Sequence, residues 1–292
     1  MPTTAEFLMP LRCFRAFAAI CILLLSASTL VQAQSEPDVG NTNRPLWEAG
    51  VAGFGFSGPA YPGASDTVNR AIALPWIVYR GPVLRADGGT FGARVAKTRD
   101  VELDIGFAGA LRASSSDVQV RQGMPDLGYL IEFGPRVRIN LARPTSDSVV
   151  RVDLPLRGVF ELKGGVQHRG IAFEPRLAFD TRDVGAGWGL TASASLHYGD
   201  QKYNEYLYGV PAAFATPARS AYQAKSGLIT PRVQLAVSRK LTEDMRLFAF
   251  TRLDFAGSGA NSDSPLHLKD TGASVGLGLV WTLGRSREKA VD

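Results

Sequence analysis

The chain has 292 residues, 45% of them hydrophobic, with 32 basic and 27 acidic side chains and a net charge of +5. Its two cysteines are Cys13 and Cys21, so no disulfide framework or thiolate metal site is expected in the rest of the chain. The basic residues are scattered rather than clustered, which argues against nucleic acid as a partner.

At the start, Arg12 and Arg15 precede an apolar run over residues 16–25, small residues follow, and Val31-Gln32-Ala33 stands before Gln34. This is the layout of a secretory signal cut between Ala33 and Gln34. The run is shorter than the roughly 20 apolar residues of a spanning helix, which disfavours an uncleaved anchor. Ile20 is bulky for the position before a lipidated cysteine, which disfavours a lipoprotein anchor on Cys21. Removal of 1–33 takes away both cysteines and leaves 30 basic and 26 acidic side chains, a net of +4.

Twelve alternating segments follow: 47–56, 70–79, 82–86, 90–97, 101–112, 127–141, 148–161, 166–181, 187–198, 222–239, 245–255 and 272–283. Several reach ten residues or more, the length of a tilted membrane-crossing strand, whereas strands of soluble sheets average about five or six. No segment after residue 33 shows a convincing helical period, and none is long and apolar enough for a second membrane helix. The expected fold is all-β: a transmembrane antiparallel β-barrel of about twelve strands, within a range of ten to fourteen.

The alternation separates two faces. In Val101-Glu102-Leu103-Asp104-Ile105, the apolar residues share one parity and the acids the other. In 127–141, Tyr129, Ile131, Phe133, Val137 and Ile139 alternate with Glu132, Arg136 and Arg138; in 166–181, Ile171, Phe173, Leu177 and Phe179 alternate with Glu174 and Arg176. In a barrel, the charges Glu102, Asp104, Arg136, Arg138, Glu174 and Arg176 would face a wet lumen and pair across it. The apolar parity would form a lipid-facing belt, with Trp188, Tyr198 and Trp281 as interface anchors. Segment 245–255 is ambiguous, because Phe248 and Phe250 share parity with Arg246, Arg252 and Asp254. A soluble sandwich explains the alternation of one strand equally well, but not the lengths.

Connections 57–69, 113–126, 199–221 and 256–271 are long and all fall on one end; those at the other end are short. Outer-membrane barrels have long outer loops and short periplasmic turns, and an even strand number puts both termini in the periplasm. The expected division is a cleaved signal at 1–33, a periplasmic segment at 34–46, the barrel at 47–283 and a charged tail at 284–292.

Tyr61-Pro62-Gly63-Ala64-Ser65, after the first strand, resembles the Tyr-x-Gly-Ser turn of the MipA/OmpV family, with one extra residue before Ser65. Gly199-Asp200, Tyr203, Tyr208-Gly209-Val210, Tyr222 and Gly227 are similar to that family's long-loop region, and Asp263-Ser264-Pro265-Leu266 to its Asp-Ser-Pro motif. The order and spacing of these pieces, over about 47–283, carry the resemblance. The chain departs from it at the end: such barrels often finish on an aromatic residue, whereas here a charged tail follows Val280-Trp281-Thr282-Leu283. The resemblance implies a Gram-negative outer-membrane protein without catalysis. Its named member is a scaffold that joins a murein-cleaving lytic transglycosylase to a murein synthase. Other members resemble adhesins, antigens or small-solute channels.

Enzyme chemistry has little support. Ser195 and His197 share the lumen parity and lack an evident Asn partner, unlike the surface triad of an outer-membrane phospholipase. Asp263, His267 and Asp270 are better read as turn residues than as metal ligands. Gly53-Phe54-Gly55 and Gly276-Leu277-Gly278 sit inside strands and are packing glycines, not nucleotide loops. No catalytic residue, cofactor or metal is expected. The partners are outer-membrane lipid and, by family analogy alone, murein enzymes. A scaffold of the cell envelope is the first reading; a narrow channel, an adhesin or an antigen is the alternative.

Overall fold

The structure is a computed structural model, and it describes residues 44–81, 84–87, 90–110 and 118–290. The signal and its Ala33/Gln34 cut lie outside the described residues. Thirteen strands form one antiparallel sheet: β1 (Trp47–Pro59), β2 (Thr67–Arg80), β3 (Leu84–Asp87), β4 (Thr90–Lys97), β5 (Val101–Ala110), β6 (Tyr129–Ala142), β7 (Ser148–Leu162), β8 (Val166–Phe173), β9 (Arg176–Thr181), β10 (Trp188–Gly199), β11 (Gly227–Lys240), β12 (Met245–Asp254) and β13 (Gly272–Arg285). Each strand pairs with the next, except that β8 and β9 each lie between β7 and β10, and β13 pairs with β1, so the sheet closes on itself. The thinnest seam is β2–β3, where the register holds only Tyr79 with Ala86 and Arg80 with Arg85.

β8 and β9 are two halves of one wall strand, since both pair with β7 on one side and β10 on the other. Counted together they give a twelve-strand barrel. The expected single segment 166–181 is broken at Glu174-Pro175 because proline has no N–H to give the ladder. The Pro175 carbonyl still accepts from the Leu196 amide, at 3.1 Å.

The faces are sorted inside out relative to a soluble protein. Val51, Ile77, Phe133, Leu156, Leu177, Leu235 and Leu277 are exposed on the outer wall. Asp104, Arg136, Asp153, Asp180 and Asp254 are buried in the lumen. A soluble chain rarely exposes a contiguous apolar surface of this kind. It matches the apolar band of a membrane barrel, with Trp47 and Trp281 exposed at the termini end and Tyr129 at the other. Trp188 is half-buried under the Arg239 guanidinium, 5.5 Å from its ring, and Tyr198 is half-buried against Phe173.

The lumen is not uniform. Across β4–β11 its wall is charged. Arg136 donates to Asp104 at 2.6 Å, and Asp153 takes Arg138 at 2.9 Å, Arg151 at 3.2 Å and Arg176 at 3.1 Å. Asp180 faces Arg151 and accepts from Thr191 at 2.7 Å. Glu174 reaches Arg232 at 3.0 Å, and Glu102 lies 3.3 Å from Arg94. These pairs run largely between neighbouring strands, along the wall rather than across the lumen.

The opposite wall is aromatic. Phe248 is fully buried and stacks on Phe54 at 5.8 Å, while Phe250 stacks on Phe54 and Phe56 at 6.0 and 6.4 Å. The ambiguous segment 245–255 therefore turns Phe248 and Phe250 inward with Asp254, and Leu253 and Phe255 outward. Gly276 and Gly278 of β13 make room for the rings: a Cβ at 276 would lie 2.4 Å from Phe250, and one at 278 would lie 2.2 Å from Phe248.

The tail does not begin free at 284. β13 runs to Arg285, and the ladder continues with Ser286 N–H to Trp47 O, Leu46 N–H to Glu288 O and Ala290 N–H to Arg44 O. Both ends of the described chain are thus clasped at the same end of the barrel.

Candidate functional site

The long connections meet at the opposite end. A short helix, α1 (Gln201–Tyr208), lies in the connection after β10, where no helical element is expected from the sequence. Two turns are too few to display a periodic stripe. The local signal is Asp200, whose carboxylate accepts from the Tyr203 N–H at 2.9 Å and caps the helix. The spacing of Tyr203 and Leu207, and of Asn204 and Tyr208, puts all four side chains on one buried face. Residues 222–226, expected to begin the next strand, belong instead to the loop, where Tyr222 bridges to Val210.

Around α1 the loops share one apolar core. Tyr61, Ala64, Val118, Met124, Leu127, Val210, Ala224 and Leu266 come from the connections. Leu130, Val159, Ala172 and Ile229 come from strand faces that point into the barrel. The core is therefore seated in the mouth.

Hydrogen bonds fix the loops to each other. The Tyr61 hydroxyl donates to Leu266 O at 2.8 Å, and the Tyr208 hydroxyl to Pro62 O at 2.7 Å. Ser264 donates to Tyr208 O at 2.8 Å, and Asn261 to the Asn204 side chain at 3.0 Å. The amides of Leu268 and Lys269 both donate to Gly63 O, at 2.7 and 3.1 Å. Gly63 has φ +91°, and a Cβ there would meet the His267 ring at 2.5 Å, so glycine is required twice over. Arg121 reaches Leu207 O at 3.0 Å, and Arg219 reaches Val120 O at 2.6 Å.

The residues singled out from the sequence fall within this assembly. Tyr61 and Ser264 are buried in it, and Gly63 and Pro265 shape its turns. Ser65 donates to Asp66 at 2.9 Å, and Asp263 accepts from Tyr222 at 2.6 Å and Lys225 at 3.2 Å. Those two donors hold the Asp263 carboxyl below its usual range. Burial pushes the Tyr61 phenol up to about 12, against the opposing charge of Arg121 above its ring. Burial also raises Tyr208 and Tyr203 and lowers Arg121. Legible only in three dimensions are the arginines 121 and 219, which bond backbone carbonyls of other segments, Leu207 for Arg121 and Val120 and Gln122 for Arg219, besides those of their own loops.

Outside this core, an open cleft of about 840 Å³ carries Arg121, Lys202, Glu205, Tyr206 and Phe214 among its walls, a mixed-charge surface with two rings. His267 contacts Asp270 at 3.1 Å; with Asp263 held by Tyr222 and Lys225, these residues pack the loop. Inside the barrel, Ser195 donates to Glu174 at 2.9 Å, and the buried His197 ring lies 5.8 Å from that of Tyr203. Both face the lumen, away from the lipid surface where a phospholipase must work.

Comparison with solved structures finds outer-membrane barrels. The COG4313 outer membrane channel from Pseudomonas putida F1 is 10% identical, with a TM-score of 0.48, over 85% of this chain and 98% of that one. The outer membrane phospholipase A of Escherichia coli is 12% identical, with a TM-score of 0.34, over 88% and 98%. No curated protein sequence matches the chain. The family model described as "MltA-interacting protein MipA" matches residues 51–283. That span runs from β1 to β13 and takes in the closed barrel, its apolar outer band and all the loops of the mouth. This chain is an outer-membrane β-barrel protein and belongs to the MipA family.

Proposed function

We propose that this barrel is a non-catalytic scaffold of the cell envelope, with its loops outward and both termini in the periplasm. The observation that carries the reading is the occupied mouth. A channel needs a continuous wet path, whereas here a buried apolar core with Tyr61, Tyr208 and Leu266 fills one end. Below it, the Phe54–Phe248 stack takes up one side of the lumen. The family is described by an interaction with MltA, which supports a murein-processing enzyme as a partner. On this reading the barrel anchors the partner at the membrane, and the short-turn end, which faces the periplasm, receives it.

The test has two parts. Purified protein in planar bilayers should give no stepwise conductance. Crosslinking in intact envelopes should trap a murein-processing enzyme through residues of the short turns. Steady single-channel currents from the unmodified protein would favour the alternative of a narrow solute channel, whose support is the charged lumen wall.

A further inference from the structure

We propose that the barrel mouth at the termini end holds a site for a small oxyanion, a phosphate or a carboxylate group. Between the β4–β5 and β6–β7 turns lies a cavity of about 80 Å³. Five cationic side chains line it, Lys97, Arg99, Arg138, Arg143 and Arg151, against one acid, Glu102. Glu102 is already set against Arg94.

The floor and the rim differ in a way that suits anion capture. Arg138 and Arg151 come from strands, and their side chains are only 11% and 12% exposed. They are held in place by Asp153, which also takes Arg176, and Arg151 is paired with Asp180 as well, so the excess positive charge of the site comes from the rim. Arg99 and Arg143 are exposed, and they come from two separate turns that converge on the same cavity. Here buried guanidinium groups, weakly screened, form the floor, and long flexible ones can close over the top. Guanidinium forks match the paired oxygens of phosphate and carboxylate. Size narrows the ligand further. A single water needs roughly 10–15 Å³, so the cavity has room for a small oxyanion with a few waters and not for a folded segment.

The site lies at the short-turn end to which the scaffold reading assigns the partner, but its test reads anion binding by the isolated barrel, so its failure would leave that reading standing. The experiment uses the folded barrel in non-ionic detergent and follows its heat unfolding by gel mobility. Inorganic phosphate is compared with chloride at equal ionic strength, and succinate serves as the carboxylate probe. Phosphate is expected to raise the unfolding temperature over chloride by several degrees, saturably. The double variant Arg99→Gln/Arg143→Gln changes two exposed turn residues, and it should fold normally and lose most of that rise. Lys163→Gln, at the far end, should keep it.

Repeating the titration in nanodiscs containing phosphatidylglycerol separates the two sources of the group. If the rise persists there, the natural ligand is a free solute; if it is already saturated, a lipid headgroup fills the site. No difference between phosphate and chloride in detergent, or an equal rise in the double variant, would overturn the proposal.

Discussion

The hydroxyl of Tyr61 donates to the carbonyl of Leu266 at 2.8 Å, although 205 positions separate the two residues. Tyr61 follows the first strand and Leu266 precedes the last, and those strands are neighbours in the closed ring. A tie between the ends of the sequence is thus also a local tie across the barrel seam.

Removal of that tie should loosen the mouth. In Tyr61→Phe, the Leu266 carbonyl loses its donor in a buried place, a cost of about 1–3 kcal/mol. The Leu268 amide, bonded to Gly63 O in the same pair of loops, should exchange with deuterium faster while strand amides keep their protection. Unchanged exchange at Leu268 would show that the loops do not depend on the bond.

Alkali should act on the same core. The Tyr61 phenol is held up at about 12, above the ordinary value of 10.0. A raised pKa means that the folded state keeps its proton longer than the unfolded state. The associated stability is therefore complete below pH 10 and is lost as the pH rises from about 10 toward 12. Phenolate absorbance should show tyrosines that ionise late, with one fewer in Tyr61→Phe. If the folded protein ionises all its tyrosines near pH 10, the core is open to water.

The aromatic wall makes a sharper steric prediction. Gly276→Ala sets a methyl against Phe250 and Phe54, and overpacking of this kind costs about 1–3 kcal/mol. Because the nearest atoms are ring ends, Phe250→Leu in the same chain should recover much of the loss. Urea unfolding of the single and double variants checks this. Equal losses without recovery would place the strain in the backbone.

Depth on the lipid face can be read on one strand. Leu277 and Leu283 are both outward on β13, 58% and 63% exposed, one at mid-strand and the other near its end. Arg at Leu277 should cost about 2–4 kcal/mol and Arg at Leu283 only about 0–1 kcal/mol, measured by refolding into vesicles. A water-facing wall would tolerate both alike.

Asp153 is the hub of the charged wall, fully buried and shared by Arg138, Arg151 and Arg176. Asp153→Asn keeps the shape and leaves three guanidinium groups without their common carboxylate. Loss of one partner from a buried pair typically costs 3–5 kcal/mol. The urea midpoint should fall accordingly, and a shift no larger than that of a surface variant would mean that water screens the lumen freely.

The strand count, the sides of the wall and the end that carries the long loops were legible because period-two alternation is local: it can be read in 101–105 without knowing any neighbour. The hub role of Asp153 was not, because it follows from register, which aligns Asp153 with Arg138 on one side and Arg176 on the other. The inward turn of Phe248 was hidden for a different reason. Hydrophobicity marks the lipid side only where the lumen is wet, and this lumen is dry against β12 and β13. Helix α1 was too short for a period, and its cap, Asp200, was the one local trace.

The glycines of β13 have a consequence for the order of events during assembly. Strand β13 is the last to be delivered, and its partner β1 is the first, so their pairing is the longest-range contact in the ring and the slowest to find. Phe54 must settle over Gly276 at that moment, beside the Phe248 ring that fills the space at Gly278. The seam is thus a latch with a shaped keyway: a register slip of one residue would present Leu277 to the ring in place of a glycine and leave the latch unable to shut.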